Sequence, residues 1–314
     1  MALVLGIDTS NYTTSCAVYD TDTNSVIQRK QLLPVKSGEC GIRQSDAVFH
    51  HTKQLPPLME SLFDECKCRV DAVSVSVTPR RCEGSYMPCF TVGEGVARSL
   101  SAATDVPLFI NSHQEGHIAA ALYSADKLDL IGNKFLAFHV SGGTTEGMIV
   151  THDKCNIISC ELVSQTSDLN AGQLIDRTGV MLGLDFPCGK ELEKLALEYT
   201  DVIKVKPSVK GTTCSLSGFQ NKLQDVYRAS GDKHKTAAYT LAYVEATITK
   251  MTENCFEMFG TMPVLYAGGV MSNSIIRKSL ESKFDAFFAH PDFSCDNAAG
   301  AAILGGIKLS GEYL

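Results

Sequence analysis

The spacing of apolar residues along the chain predicts a mixed α/β protein. Strand patterns dominate to about residue 19 and return at 26–33, 70–77 and 107–110. Helical periodicity covers 51–66, where Leu55, Leu58, Met59, Leu62 and Phe63 share one face. Pro56-Pro57 interrupts that stripe and moves the expected helix start to about residue 57. Further helices are expected at 92–103, 173–182, 191–199 and 236–259, the last being the longest. A hairpin is expected over 135–152, with 160–163 continuing its sheet. The small-residue stretch 297–309 reads as a helix that packs closely on a neighbour.

Two of the strand pairs look alike. Leu3-Val-Leu-Gly-Ile-Asp8 runs through a turn of small hydroxyl residues into a strand ending at Asp20. Phe135-Leu-Ala-Phe-His139-Val140 runs through Ser141-Gly-Gly-Thr-Thr145 into a strand ending at Asp153. Asp8 and Ser141 stand 133 positions apart (141 − 8), as do Asp20 and Asp153, so the segments align without a gap. A turn with exposed N–H groups and no bulky side chains can wrap an anion. Spacing alone leaves that reading level with two unrelated core hairpins. A third glycine turn, Ala267-Gly268-Gly269, follows another apolar strand and feeds a helical pattern from Ser272 or Asn273. Glycines at such a junction let a base or phosphate approach the backbone. Together the three turns point to a two-lobed nucleotide clamp. The lobes are expected at 1–132 plus 292–314, and at 133–291.

Composition narrows the class. With 44% hydrophobic and 20% charged residues, and no apolar run near the ~20 residues that span a bilayer, the chain is expected to be a soluble globular protein that does not enter a membrane. The start shows no secretory leader, and the twelve cysteines are scattered through element patterns, which suits free thiols in a cytoplasmic protein. Cys66-Lys-Cys68 matches no common zinc spacing. A net charge of −7 excludes a free-standing nucleic-acid binder, so any RNA substrate needs a partner protein for part of the positive surface. The basic groups Arg80-Arg81, Lys204/Lys206/Lys210 and Lys233-His-Lys235 read as solvated faces or phosphate-facing loops.

The sharpest chemical signal is Ser112-His113-Gln-Glu115-Gly-His117. Ser112 and Glu115 make a capping box, so His113 and His117 stack one helical turn apart and can share a metal. The metalloprotease pattern needs Glu directly after the first His, and that is absent. His139 precedes the second turn and Asp296 precedes the tail helix. Three imidazoles and a carboxylate suit zinc or ferrous iron.

These motifs bring a family into view. Gly6-Ile-Asp-Thr-Ser10, His113-xxx-His117, Val140-Ser-Gly-Gly143, Asp176 with Gly183-Leu-Asp-Phe-Pro-x-Gly189, Ser215-Leu-Ser-Gly218, Ala267-Gly-Gly-Val270 with Asn273, and Asp296-Asn-Ala298 occur in this order. The chain resembles the TsaD family, once called glycoprotease, from about residue 4 onward. That resemblance implies the duplicated RNase H-like α/β fold of actin, heat-shock chaperone ATPases and sugar kinases. It implies transfer of a threonylcarbamoyl group from threonylcarbamoyl-AMP to N6 of the adenine beside the tRNA anticodon. It implies one divalent metal, Fe or Zn, held by His113, His117, His139 and Asp296. An adenine nucleotide, ATP or threonylcarbamoyl-AMP, would be contacted by Ser141, Gly142, Gly143, Thr144, Thr145, Asp176, Gly189, Glu193, Gly268, Gly269 and Asn273. The chemistry would fall to Asp8, Ser141 and Thr144. Partners would be tRNA, reached with TsaB- and TsaE-like proteins, and a homodimer or heterodimer.

The departures define the alternatives. A Cys-Asp-Glu-Thr run of the family is Asn11-Tyr-Thr-Thr14 here, without an acid. A Gly-Pro-Gly turn becomes Thr78-Pro-Arg80, and the residues after Ser-Gly-Gly become Thr144-Thr-Glu146. A divergent paralogue with another carbamoyl acceptor, or an adenylate-binding regulator without turnover, is the second reading. A small-molecule kinase using Asp8 as base would leave the histidine pair unexplained.

Overall fold

In the computed structural model residues 2–10, 12–34, 42–293 and 298–311 are described, and hydrogen bonding sorts their strands into two sheets. The chain divides into two compact units. One comprises Met1–Asn133, Thr151–Cys160 and Asp292–Leu314, the other Lys134–Val150 and Glu161–Pro291.

The first unit is built on strands β1 (Leu3–Asp8), β2 (Thr13–Asp20), β3 (Ser25–Leu32), β4 (Ala72–Thr78) and β5 (Leu108–Ser112), in the order β3-β2-β1-β4-β5. Antiparallel pairing joins β1, β2 and β3, and parallel pairing joins β1, β4 and β5. Alternation decides the faces. Leu5, Ile7, Cys16, Val18, Val73 and Val75 form one buried cluster with Leu55 and Leu62 of α1 (Gln44–Cys66) and Ala97 of α2 (Phe90–Thr104). On the opposite face Gly6 lies against Ala298 and Ala302, at the start of a helix spanning Ala299–Ser310. That helix also packs on α3 (His113–Ser124).

Helix α1 starts at Gln44, well before the expected residue 57, and runs through both prolines. Pro56, Pro57, Thr52 and Lys53 are all exposed, so the carbonyls deprived of an N–H partner reach water and the helix is not broken.

The second unit carries β6 (Phe135–Val140), β7 (Thr145–Asp153), β8 (Ile157–Thr166), β9 (Val209–Lys210), β10 (Thr213–Cys214), β11 (Val264–Ala267) and β12 (Ala286–Phe288). Their order is β12-β11-β6-β7-β8-β10-β9. Its helices are α4 (Ala171–Met181), α5 (Gly189–Leu197), α6 (Ser217–Ser230), α7 (Lys233–Phe259) and α8 (Ser274–Lys283), with the Ala299–Ser310 helix above as α9. A single apolar cluster unites Leu136, Phe138, Val140 and Tyr266 of the sheet with Leu174, Leu192, Phe219, Leu241 and Ile276 of these five helices. Helix α6, which the spacing did not predict, buries only Phe219 and Leu223, too sparse a stripe to register in the sequence.

Both expected hairpins exist, but their register corrects the gapless alignment. Asp8 pairs with Ser15, and His139 pairs with Glu146. The ladders therefore superpose at an offset of 131 positions (139 − 8, 146 − 15), not 133. Ser10 then corresponds to Ser141, Thr13 to Thr144, and Asp8 to His139. A slip of two residues keeps every side chain on its own face, so hydrophobic alternation could not detect it.

Candidate functional site

In the first unit β1 delivers Asp8 to the first turn of α3. Ser112 accepts from the Glu115 N–H at 3.2 Å, and the Glu115 carboxylate accepts from the Ser112 N–H at 2.8 Å, completing the expected capping box. His113 is the first residue of the helix, and its Nδ1 lies 2.9 Å from Asp8 Oδ2. The Ser10 N–H donates to Asp8 Oδ1 at 2.9 Å. Burial raises the Asp8 pKa, but the attraction of His113 and the hydrogen bonds from His113 and the Ser10 N–H hold it below the ordinary carboxylate value. An ionised Asp8 only accepts, so Nδ1 of His113 carries the proton. On the far side of the ring His117 Nε2 lies 2.8 Å from His113 Nε2.

This donor set fits a metal. Two Nε2 atoms converge, and the inner imidazole is oriented through Nδ1 by a carboxylate, the arrangement of a metal-bound histidine. The two Nε2 atoms face one another across the space a shared cation would take. Among the described residues no group of three or more His, Cys, Asp or Glu is assembled to hold a metal. Asp296 lies outside the described residues, and His139 belongs to the second unit, on β6.

The second unit contains a cavity of about 670 Å³. Its lining includes Gly142, Asp176, Gly189, Glu193, Gly269 and Asn273, six of the residues singled out from sequence. Ile175, Pro187, Val270 and Pro291 give it apolar walls, and Gly172, Lys190 and Ser272 complete it. The sequence reading missed these seven. Pro187 and Val270 lie inside motifs quoted above, and Ile175 and Lys190 adjoin Asp176 and Gly189, so a place in or beside a motif was the signal available.

Three junctions shape this cavity. The Ser141–Thr144 turn closes on itself: Ser141 Oγ accepts from the Gly143 and Thr144 N–H groups at 3.2 and 3.1 Å. The start of α4 docks on it through Gly172 N–H to Ser141 O at 3.1 Å and Ala171 N–H to Thr145 Oγ1 at 2.9 Å. At the end of β11, Gly268 takes φ +98°, and a Cβ there would stand 2.3 Å from the Val140 carbonyl oxygen, so only glycine fits. Asn273 caps α8, its Oδ1 accepting from the Ile275 and Ile276 N–H groups at 3.1 Å each.

Ser141, Gly143, Thr144, Thr145 and Gly268 stay outside the lining. They hold the turn and the junction that present Gly142 and Gly269. Asp176 Oδ1 accepts from the Cys188 N–H at 2.9 Å, and Glu193 Oε1 accepts from the Ser274 N–H at 2.8 Å. Each carboxylate keeps a second oxygen for another donor. Apolar walls, glycine edges and two carboxylates in one lining suit a base, a phosphate approach and a ribose.

Thr14 Oγ1 donates to Gln54 Oε1 at 2.7 Å and lies 2.8 Å from Nδ1 of the fully buried His51. Among the described residues no helix is long and apolar enough to cross a membrane, and the described cysteines form no disulfide.

Solved structures share this architecture at low identity. (R)-2-hydroxyglutaryl-CoA dehydratase component A of Acidaminococcus fermentans matches 99% of the chain over 100% of its own length, with 14% identity and TM-score 0.56. HypF of T. kodakarensis matches 98% of the chain at 14% identity and TM-score 0.63, and the chain spans 48% of that protein. The Lmo2764 protein of Listeria monocytogenes matches 99% of each chain at 14% identity and TM-score 0.52. The fold is the duplicated α/β one of actin and the sugar kinases. A family model described as "TsaD: tRNA N6-adenosine threonylcarbamoyltransferase" matches residues 24–303.

Proposed function

Because this chain belongs to the TsaD family of tRNA N6-adenosine threonylcarbamoyltransferases, we propose that it moves a threonylcarbamoyl group from threonylcarbamoyl-AMP to N6 of the adenine beside a tRNA anticodon. The observation that carries the nucleotide half is the second unit's cavity, where apolar walls, two glycine edges and the Asp176 and Glu193 carboxylates meet. Ile175 and Val270 would flank the adenine and Asp176 would accept from a ribose hydroxyl. The Gly142 edge, kept free of side chains, would admit the phosphate.

In the transfer, the N6 amine attacks the carbamoyl carbon, the bond from that carbon to the phosphate oxygen breaks, AMP leaves, and N6 gives up a proton. The metal would be held in the first unit by His113 and His117. When bound it supplies Lewis-acid polarisation of an acyl or phosphoryl oxygen. Asp8 orients His113 and keeps its Nε2 available. Ser141 and Thr144 fix the turn that offers Gly142 to the phosphate. The chain's net charge of −7 supports a partner that contributes positive surface for tRNA.

One observation favours a second reading, an adenylate-binding paralogue with another acceptor or none. The first turn carries no acid, and its Thr14 hydroxyl is engaged with Gln54 and His51. The test is incubation of the full chain with threonylcarbamoyl-AMP, an anticodon stem-loop and TsaB- and TsaE-like partners. Modified adenine is expected. Adenylate binding without product supports the second reading, and absence of adenylate binding overturns both.

A further inference from the structure

Of the Arg80-Arg81 pair, read from sequence as a solvated or phosphate-facing face, Arg81 stays 42% exposed and also binds the start of α3. Arg81 Nε donates to Glu115 Oε1 at 2.7 Å and Arg81 Nη2 to Glu115 Oε2 at 2.9 Å. Glu115 is 2% exposed and is the same carboxylate that caps α3 through Ser112. The loop bearing Arg81 also supplies the Pro79 carbonyl, which accepts the otherwise unpartnered Gln114 N–H of the helix start at 3.1 Å. Internal bonds brace that loop: Thr78 Oγ1 donates to the Ser85 carbonyl, and the Arg80 N–H donates to Ser85 Oγ at 3.0 Å. This is the loop where Thr78-Pro-Arg80 replaces a glycine-flanked turn.

We infer that Arg81 is a positioning residue that locks the first turn of α3, and so holds His113 and His117 in the orientation in which they share a cation. The physical chain is short. A buried carboxylate that accepts from one backbone N–H and a bidentate guanidinium is held in place. Without the guanidinium Glu115 loses two charge-assisted bonds and turns outward, and the capping box opens. His113, one residue after the cap, loses its fixed direction.

The inference rests on the metal reading of the histidine pair, and its test separates the two. Co²⁺ titration of the full chain is expected to show Arg81→Met binding about 10- to 100-fold more weakly than the parent, with Arg81→Lys recovering part of the loss. Arg29→Met, which removes the Arg29–Glu65 ion pair elsewhere in the unit, is expected to leave the affinity unchanged. In metal-free protein, ¹⁵N shifts of His113 are expected to report one fixed tautomer in the parent and averaging in Arg81→Met. If Arg81→Met fails to fold, Glu115→Gln, which keeps the cap but loses the charged pair, takes its place. A parent without Co²⁺ affinity sinks the metal reading, while the ¹⁵N comparison still decides the lock. Unchanged affinity and an unchanged tautomer in the folded variant overturn the inference.

Discussion

Gly300→Ala is the most telling perturbation of this fold, because two rules give it opposite signs. Gly300 lies in α9 and faces Gly116 of α3, the residue between Glu115 and His117. By propensity alone, replacing a helical glycine with alanine stabilises by about 0.5–1 kcal/mol. By packing, a Cβ at 300 would stand 1.7 Å from the Gly116 carbonyl oxygen and 2.5 Å from its carbonyl carbon. Ordinary contacts need about 3.5–4.0 Å, so the helices must part by roughly 2 Å, and neither obstacle is a flexible side chain. Overpacking of this kind costs about 1–3 kcal/mol or more, and rigid backbone on both sides places this case at the upper end. Packing therefore wins. The net loss is expected to reach about 2 kcal/mol or more, lowering the first unit's melting midpoint by roughly 4–8 °C. Because the displaced segment is the turn joining the two histidines, Co²⁺ affinity should fall as well. Gly95→Ala in α2 is the control: nothing lies within 4 Å of its Cβ position, so only propensity acts and the midpoint should rise slightly. Differential scanning calorimetry on the three proteins decides it. A Gly300→Ala chain as stable as the parent would refute the close crossing of α3 and α9.

Other expectations follow from single contacts. Asp8→Asn removes the acceptor-only partner of His113 Nδ1 and should weaken Co²⁺ binding by about 10- to 100-fold, measured by titration calorimetry. Asp176→Ala should weaken AMP binding by about 1.5–3 kcal/mol but leave 2′,3′-dideoxy-AMP nearly unaffected; an equal loss for both would remove the ribose role. Burial is the main cause that pushes the His51 pKa down from 6.5 to about 4. Below pH 6.5 the unfolded chain takes up a proton that the folded chain refuses, so stability falls as pH drops from 6.5 towards 4. The expected slope is at most about 1.4 kcal/mol per pH unit. His51→Gln should flatten that part of a urea-stability profile; an unchanged slope would assign it to other groups.

Local chemistry was legible in the sequence wherever a contact is made within a few residues. The Ser112–Glu115 capping box and the one-turn spacing of His113 and His117 close over four positions or fewer, and both are present in the structure. Hydrophobic alternation likewise set the α/β class and most elements, because which face is buried is written in a period of two or 3.6. Period two also set the limit. It could not tell an offset of 133 from 131, and only the Asp8–Ser15 and His139–Glu146 pairings showed which residues of the two hairpins correspond. Contacts between distant segments leave no such mark. Arg81 reaches Glu115 across 34 positions, Asp8 reaches His113 across 105, and Glu193 reaches Ser274 across 81. Sequence singled out Asp8, His113, Glu115 and Glu193 one by one, but nothing in it paired them with these partners. Sequence fixes the periodicities and short-range geometry that bonded neighbours enforce; tertiary structure alone decides which distant side chains meet, because that depends on how sheets and helices are brought together.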